Sequence, residues 1–310
     1  SDWKGYSKFG NNAIINAGID MVMAVDNDLN FFQKGLKKAV ETNVVSKIRI
    51  DDAVRRILRQ KFRLGLFKNP FPDATFVSKI GTKAHRDKAR QAVRESLVLL
   101  KNDDNLLPIS KLTSKIVVVG EHANNSGLQS GGWTVNWQGS LKSYKGATTI
   151  LEGIKNKSSG KVVYDKEASA AHYDADLAIV VVGETPYAEF FGDIGHESNT
   201  RQLTLTKKHQ QYIDTYSKQG VKTIVVLISG RPLVVTNQIK QSNAFVAAWL
   251  PGSEGHGIAE VLFGDFNFSG KLPHSWPTSI HDFDQKYGPN FWDTTIKPLY
   301  PFGYGLTYKK

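Results

Sequence analysis

The sequence predicts an α/β protein whose main part is an open, doubly wound sheet with helices on both faces. Short runs of Val and Ile recur along the chain after residue 96, and segments with helical spacing lie between them. Such runs are typical of parallel strands that are buried on both faces. Their alternation with helices indicates a doubly wound sheet. The predicted strands are 97–100, 116–120, 162–164, 178–182, 223–228 and 244–249, and the predicted helices between them are 150–156, 206–218 and 257–263.

Residues 1–67 follow a different pattern, with one predicted strand among several helices. The apolar segment 20–25 is predicted to be a buried strand, but one strand cannot form a sheet, and its neighbours are expected to come from outside residues 1–67. We therefore interpret this part as the C-terminal end of a larger barrel-like domain. Its predicted helices are 13–18, 29–41 and 50–62.

Residues 68–92 are predicted to be a linker across a domain surface, because Pro70 and Pro72 are followed by charged residues with helical character, 83–90. This leaves residues 93–310 for the predicted sheet domain. The chain of 310 residues is long enough for two domains that each bury a core.

Composition argues against several classes of function. The net charge of +11 permits nucleic-acid binding, but the Lys and Arg residues are scattered, and the densest patch, 55–63, is interpreted as the solvent face of a helix. The sequence has no Cys, which excludes disulfides and a thiol nucleophile, and its His residues lack metal-ligand spacing. No apolar run approaches about 18 residues. We therefore expect no nucleic-acid partner, no membrane partner, no metal and no cofactor.

Glycine-rich turns follow three of the predicted strands, at Gly120, Gly183 and Gly230. None of them opens a dinucleotide-binding or phosphate-binding motif, and no nucleophile elbow of the Gly-x-Ser-x-Gly kind is present. A nucleotide-binding regulator and a serine esterase are therefore unsupported. Arg231, in the turn after the fifth strand, is interpreted as a loop anchor or as the partner of a carboxylate.

The fourth predicted strand ends in an acidic, aromatic loop that contains Glu184, Glu189 and Asp193. Ligands of parallel sheets bind beyond the carboxyl ends of the strands, so this loop lies where chemistry is usually found. A solvated acidic loop is the alternative, and loop position alone does not decide between the two.

Short motifs along nearly the whole chain point to one family. They include Ser1-Asp-Trp-x-Gly5, Ala17-Gly-Ile-Asp-Met21, Lys61-Phe-x-x-Gly-Leu-Phe67, Ser96-Leu-Val-Leu-Leu-Lys-Asn102, Gly131-Gly-Trp-Thr134, Trp137-Gln-Gly139, Ser229-Gly-Arg-Pro232, Ala247-Ala-Trp-Leu-Pro-Gly252 and Pro301-Phe-Gly-Tyr-Gly-Leu306. In this order they resemble the family-3 glycoside hydrolases, in particular the β-glucan exohydrolases and β-glucosidases.

The resemblance implies a (β/α)8-like barrel followed by an α/β sandwich domain, with the active site between them. It assigns Asp2 as the catalytic nucleophile and Glu189 as the acid/base, the two carboxyl groups that a retaining glycosidase requires. Trp3 and Trp133 match an aromatic pair that sandwiches the sugar beyond the scissile bond. Without the resemblance, Trp133 would be interpreted as a core residue.

The resemblance also implies that most of the barrel precedes Ser1. Residues 1–67 are then expected to expose apolar faces unless a second polypeptide covers them. We expect little activity from this chain alone. With its N-terminal barrel half, we expect exo-acting release of glucose from β-glucans or β-glucosides with retained configuration, and the substrate class suggests a secreted or periplasmic enzyme. The alternative is a non-catalytic carbohydrate-binding or scaffold protein derived from the sandwich domain.

Two departures from the family pattern affect the predicted site. An arginine that follows the Asp-Trp pair in plant enzymes is replaced, at best, by Lys8, which cannot form the same two-pronged contact. Phe190 and Phe191 stand where plant relatives carry Thr-Lys. We hypothesise that these two rings help to desolvate Glu189.

Overall fold

The computed structural model describes residues 1–8, 11–24, 26–169, 172–194, 202–283 and 297–308. The chain divides into two compact units, residues 1–80 and 81–310. This boundary falls within the segment predicted to be a linker. One hydrophobic cluster lies in the first unit, between Tyr6 and Ile50, and two larger clusters lie in the second.

The first unit contains three α-helices, as predicted, but the predicted strand is absent from its described residues. The helices are α1 (Asn11–Asn16), α2 (Asp26–Glu41) and α3 (Lys47–Arg63). In the segment predicted as a strand, Met23 makes a single bridge to Trp3, and Met21 and Met23 are 66% and 54% exposed. The prediction of a buried strand is therefore wrong for this part, because the described chain provides no neighbouring strand for a hydrogen-bonded ladder.

Helix α3 begins three residues earlier than predicted, because Ser46 caps it by accepting a hydrogen bond from the Arg49 N–H. The predicted apolar face of α3 is largely open to solvent. Val54, Leu58 and Phe62 are 47%, 39% and 67% exposed. The first unit thus exposes an apolar stripe, as expected from the sequence.

The second unit is built on a six-stranded sheet, which confirms the predicted α/β fold. Its strands are β1 (Val98–Asn102), β2 (Lys115–Val119), β3 (Lys161–Asp165), β4 (Leu177–Gly183), β5 (Thr223–Ile228) and β6 (Ala244–Trp249), in the order β1-β6-β5-β4-β2-β3. All neighbours are parallel except β1, which runs antiparallel to β6. The sheet is therefore mixed at one edge, a detail that the strand pattern does not predict.

Helices cover both faces of the sheet. They are α4 (Lys83–Ser96), α5 (Ile150–Lys157), α6 (Lys207–Ser217), α7 (Thr236–Gln241) and α8 (His256–Leu262). Residues of α5 and α8 share one core cluster with alternate residues of the strands, and residues of α6 and α7 share the other. This alternation places strand side chains in both cores. Helix α7, only six residues long, is missing from the predicted helices. The linker prediction is wrong for residues 83–92, because they form most of α4, which belongs to the second unit.

Helix α4 is attached to α8 and the turn before it by a row of arginines on one face. Arg86 and Arg90 contact the carboxylate of Glu254, at 2.8 and 3.1 Å, and Arg94 contacts Glu260 at 2.7 Å. The Glu254 side chain is 1% exposed, so its charge depends on these partners. The spacing of four residues between the arginines places them on adjacent turns of one helix face.

The outer side of β1 is occupied by a later segment of the chain. Leu306 forms an isolated antiparallel bridge with Leu99, and its N–H donates to the Leu99 carbonyl at 2.9 Å. The hydroxyl of Tyr304 donates to the Leu100 carbonyl at 3.2 Å. Two backbone carbonyls of β1 therefore have partners in this later segment of the same molecule.

Candidate active site

Residues 184–193, here called the acid loop, begin where β4 ends. A Cβ on Gly183 would lie 1.9 Å from the Ile228 carbonyl oxygen, so only glycine allows β4 and β5 to approach at this point. Glu189 opens a short 3-10 turn, Glu189–Gly192, with φ 53°. Its side chain is exposed, and no residue that the structure describes forms a hydrogen bond or ion pair with its carboxylate. The acid loop therefore offers a free carboxyl group to a ligand.

The two phenylalanines after Glu189 do not bury its carboxyl group. Their rings pack edge-to-face on Trp137, with centroid distances of 5.9 Å for Phe190 and 5.5 Å for Phe191. Glu189 remains exposed beside them. The hypothesis that they desolvate Glu189 is wrong for this structure, because both rings contact the neighbouring loop.

That neighbouring segment, residues 131–139, is here called the tryptophan loop. The Trp133 side chain is 67% exposed. The backbone N–H of Trp133 donates a hydrogen bond to the backbone carbonyl of Trp137 at 2.8 Å. The interpretation of Trp133 as a core residue is therefore wrong. An exposed indole ring is the surface that stacking on the apolar face of a sugar requires.

The tryptophan loop and the acid loop are joined by hydrogen bonds and close backbone contact. The carboxamide of Gln138 accepts from the Ala188 N–H at 3.0 Å and donates to the Ala188 carbonyl at 3.3 Å. A Cβ on Gly132 would lie 2.2 Å from the Tyr187 carbonyl oxygen, so the loops touch along their backbones. Glu189 and Trp133 are thus parts of one local assembly. Gln138 lies in the motif Trp137-Gln-Gly139, but the sequence alone does not show that its side chain joins the two loops.

Arg231 fixes both ends of the acid loop. Its Nε and Nη2 donate to the Glu184 carboxylate at 3.1 and 2.8 Å, and its Nη1 donates to the Gly192 carbonyl at 2.5 Å. Its guanidinium group also lies 4.6 Å from the centre of the Tyr187 ring. The interpretation of Arg231 as a loop anchor and carboxylate partner is confirmed.

A buried histidine, His122, and a half-buried one, His209, lie under the start of the acid loop. His122 Nε2 is 3.1 Å from the Glu184 carbonyl, and the rings of His122 and His209 are 5.2 Å apart. Burial lowers the pKa of His209 to about 4, with the nearby His122 as a smaller cause, and burial also lowers the pKa of His122. Both rings are therefore neutral near pH 7 and support the loop from below. Sequence reasoning missed this pair because the two residues are far apart in the chain.

The other two predicted site residues lie in the first unit. Asp2 is exposed, and its Oδ1 accepts a hydrogen bond from the Trp3 N–H at 2.6 Å. Trp3 is 51% exposed, with the Lys4 ammonium group 5.4 Å from its ring centre. Asp2 and Trp3 are therefore adjacent in one unit, and Glu189 and Trp133 lie on two joined loops of the other. The Lys8 side chain lies outside the described residues.

The residues described above contain neither a metal-binding cluster nor a membrane-spanning helix. Within those ranges, no cluster of three or more His, Asp or Glu side chains could hold a metal ion. Nor do the same ranges contain a helix of the length and hydrophobicity needed to cross a membrane.

The second unit matches a known domain over most of its length. Residues 97–308 match the glycosyl hydrolase family 3 C-terminal domain. The chain belongs to glycosyl hydrolase family 3. This confirms the family that the sequence motifs indicate.

Named relatives in family 3 are glycoside hydrolases. The chain is 34% identical to the lysosomal beta glucosidase of Dictyostelium discoideum, over 95% of this chain and 38% of that protein. It is 30% identical to the periplasmic beta-glucosidase of Salmonella typhimurium, over 95% of this chain and 44% of that protein. The chain therefore spans less than half the length of these two relatives.

Solved structures agree with this assignment. The exo-1,3/1,4-beta-glucanase of a Pseudoalteromonas species has a TM-score of 0.84 and 38% identity, covering 100% of this chain and 40% of that chain. The beta-glucosidase of Listeria innocua, solved with glucose, has a TM-score of 0.77 and 27% identity, covering 97% and 44% of the respective chains. The α/β fold of the second unit is that of the family.

Proposed function

We propose that the chain is part of a retaining, exo-acting β-glucosidase or β-glucan glucohydrolase. Such an enzyme releases glucose from the non-reducing ends of β-glucans and small β-glucosides. The names of the relatives support the substrate class. The observation that carries the proposal is the exposed carboxyl of Glu189 on a loop that is hydrogen-bonded to the loop of Trp133.

In the proposed reaction the two carboxyl groups have different roles. The Asp2 carboxylate attacks the anomeric carbon and forms a glucosyl ester, while Glu189 donates its proton to the departing oxygen as the glycosidic bond breaks. Glu189 then removes a proton from the water that displaces Asp2, which restores both groups and retains the configuration. The hydrogen bond from the Trp3 N–H fixes one oxygen of Asp2. The other oxygen is the one we assign to attack.

Binding of the leaving group is assigned to the two exposed indole rings. Trp133 and Trp3 are 67% and 51% exposed, which leaves their faces open to a sugar. A ring stacked on a pyranose buries apolar C–H groups without removing the hydroxyl groups from their partners. We propose that these rings hold the sugar unit that leaves with the Glu189 proton.

We also propose that activity requires an N-terminal barrel half in addition to this chain. The chain spans only 38% and 44% of two β-glucosidase relatives, and the apolar stripe on α3 is exposed. Alone, the chain is expected to have little or no glycosidase activity. A secreted or periplasmic location is part of the proposal, because one relative is named as periplasmic.

Hydrolysis of an aryl β-glucoside tests the proposed function. The chain is assayed alone and with a separately produced N-terminal half, and the configuration of the first-formed product is determined by NMR. Asp2→Asn is expected to abolish activity. Glu189→Ala is expected to lower kcat/KM for unactivated substrates by about 10²- to 10⁴-fold, because general acid catalysis is lost. Azide, a nucleophile that needs no base, is expected to restore turnover of an activated substrate by Glu189→Ala. An inverted product would contradict the mechanism.

A non-catalytic carbohydrate-binding protein is the second candidate. The exposed Trp133 ring favours it, because this ring belongs to the second unit together with Trp137 and Phe190. Binding of a soluble β-glucan by this chain alone, lost in Trp133→Ala and unchanged in Glu189→Gln, would support this candidate. It would do so only if the complemented protein also lacked hydrolytic activity.

A further inference from the structure

We propose that Gln138 is a positioning residue for Glu189. Its carboxamide binds both polar groups of Ala188, the residue that directly precedes Glu189. This inference rests on the proposed role of Glu189 as the acid/base. It adds a second residue, outside the acid loop, that determines where the proton is delivered.

The backbone changes direction sharply at this point. Ala188 is extended, with φ −135° and ψ 149°, and Glu189 adopts the left-handed conformation, with φ 53°. Residues other than glycine rarely adopt that conformation unless the surrounding structure holds them in it. The two hydrogen bonds from Gln138 fix the extended residue, and they therefore fix the start of the turn that directs the Glu189 side chain.

Contacts on either side of Gln138 hold the carboxamide against Ala188. A Cβ on Gly139 would lie 2.7 Å from the Pro186 side chain, and Trp137 packs on Phe191 with ring centroids 5.5 Å apart. Ala188 itself is only 6% exposed, so water has little access to its backbone groups. A side chain without polar groups at position 138 would leave the N–H and carbonyl of Ala188 unsatisfied.

Arg231 contacts other parts of the acid loop than Gln138 does. It binds Glu184 and the Gly192 carbonyl, and so holds the two ends of the loop. Gln138 binds next to the proposed acid. Loss of Gln138 is therefore expected to misdirect the carboxyl of Glu189 while the ends of the loop remain in place.

Leaving-group chemistry separates misdirection of the acid from general damage. The oxygen of an alkyl or sugar leaving group must be protonated as it departs, whereas 2,4-dinitrophenolate departs without a proton. A misplaced acid therefore slows hydrolysis of cellobiose far more than hydrolysis of the dinitrophenyl glucoside. An unstable or poorly folded protein loses activity on both substrates by the same factor.

The experiment measures kcat/KM for cellobiose and for 2,4-dinitrophenyl β-glucoside in the chain complemented with its N-terminal half. For Gln138→Leu we expect a loss of about tenfold or more on cellobiose, up to the full contribution of general acid catalysis, and less than about threefold on the dinitrophenyl substrate. Equal losses on both substrates, or no loss on either, would overturn the proposal.

A second variant covers the case in which Gln138→Leu folds poorly. The ionised side chain of Gln138→Glu can accept from the Ala188 N–H but cannot donate to its carbonyl, whereas the protonated acid can do both. The cellobiose defect of Gln138→Glu, relative to the dinitrophenyl substrate, is therefore expected to shrink as the pH falls. A relative defect that stays constant with pH would count against the proposal.

Gln129 provides the matched control. It is a buried glutamine whose carboxamide also binds backbone groups, those of Thr148 and Ile150, but it does not contact the acid loop. Gln129→Leu is expected to lower activity on both substrates equally. The Glu189→Gln variant separates the two proposals: if it shows no selective loss on cellobiose, the proposed function itself is wrong.

Discussion

His209 is half-buried below the acid loop, where the loss of solvent disfavours its charged form. His122 and Lys208 lower its pKa further, whereas Glu167 and the Gly183 carbonyl oppose this, and the result is a pKa of about 4. The ordinary value of 6.5 is expected in the unfolded chain. As the pH falls below 6.5, the unfolded state therefore takes up a proton that the folded state does not. The stability contributed by the neutral ring is complete above pH 6.5 and is lost between pH 6.5 and 4.

We expect the free energy of unfolding to fall by about 2 kcal/mol between pH 6.5 and 5 from His209 alone. His122, whose pKa is also lowered by burial, adds to the slope. Urea denaturation at pH 7, 6 and 5 measures how the free energy of unfolding changes with pH. In His209→Gln the average slope between pH 7 and 5 should decrease by about 1 kcal/mol per pH unit. An unchanged slope in this variant would refute the assignment.

Gly183 is a second residue whose effect on stability follows from its contacts. Alanine at this position places a Cβ 1.9 Å from the Ile228 carbonyl oxygen. We expect Gly183→Ala to lower the free energy of unfolding by about 3 kcal/mol, because two central strands must separate. Gly230→Ala is the control, since a Cβ there meets nothing closer than 3.5 Å. Similar urea midpoints for the two variants would show that the close approach of β4 and β5 at Gly183 does not require glycine for stability.

At the level of the element, the packing of α4 depends on the carboxylate of Glu254, which lies outside this helix. Glu254→Gln leaves Arg86 without its anionic partner and Arg90 with only Glu260, at 3.7 Å, and we expect a loss of about 3 kcal/mol in the free energy of unfolding. Asp87→Asn is the matched control on the same helix. It removes an ion pair with Lys83, whose side chain is 88% exposed, and is expected to leave the free energy of unfolding nearly unchanged. Urea denaturation compares the two, and equal effects would contradict the role given to Glu254.

The elements differ in how far the sequence reveals them. All six strands of the sheet were predicted, because strands buried on both faces carry unbroken runs of apolar residues. The direction of β1 was not predicted, because antiparallel pairing with β6 depends on where the chain returns. The segment 20–25 has the composition of a strand but lacks a described neighbour, so hydrophobicity alone misled the prediction. The shortness of α7 left too few residues for a helical period.

The residues of the candidate site also differ in how far the sequence reveals them. Glu189 and Trp133 are proposed as site residues because each lies in a short motif that resembles the family pattern. The role of Gln138 could not be predicted from the sequence, because its hydrogen-bond partner Ala188 is 50 residues away in the chain. The exposure of Glu189 was also missed, because the packing of Phe190 and Phe191 on Trp137 depends on two loops meeting.

At the level of the whole molecule, each unit carries its own core. The clusters on the two faces of the sheet draw only on residues from 93 onward, and the cluster of the first unit draws on residues up to 50. We therefore expect residues 81–310, produced alone, to unfold cooperatively in urea, with a midpoint close to that of the sheet unit in the full chain. A broad, non-cooperative transition monitored by circular dichroism would show that the sheet unit requires residues 1–80.

The segment that carries Tyr304 and Leu306 has a further consequence for the molecule in a crowded solution. A bare outer strand is a template on which a second copy can add its own strand, and this is a common first step in aggregation. Here the hydrogen bonds to Leu99 and Leu100 are formed within one molecule. The segment near residue 306 therefore protects the edge of the sheet from pairing with a second copy. We expect a protein from which a protease has removed this segment to precipitate more readily.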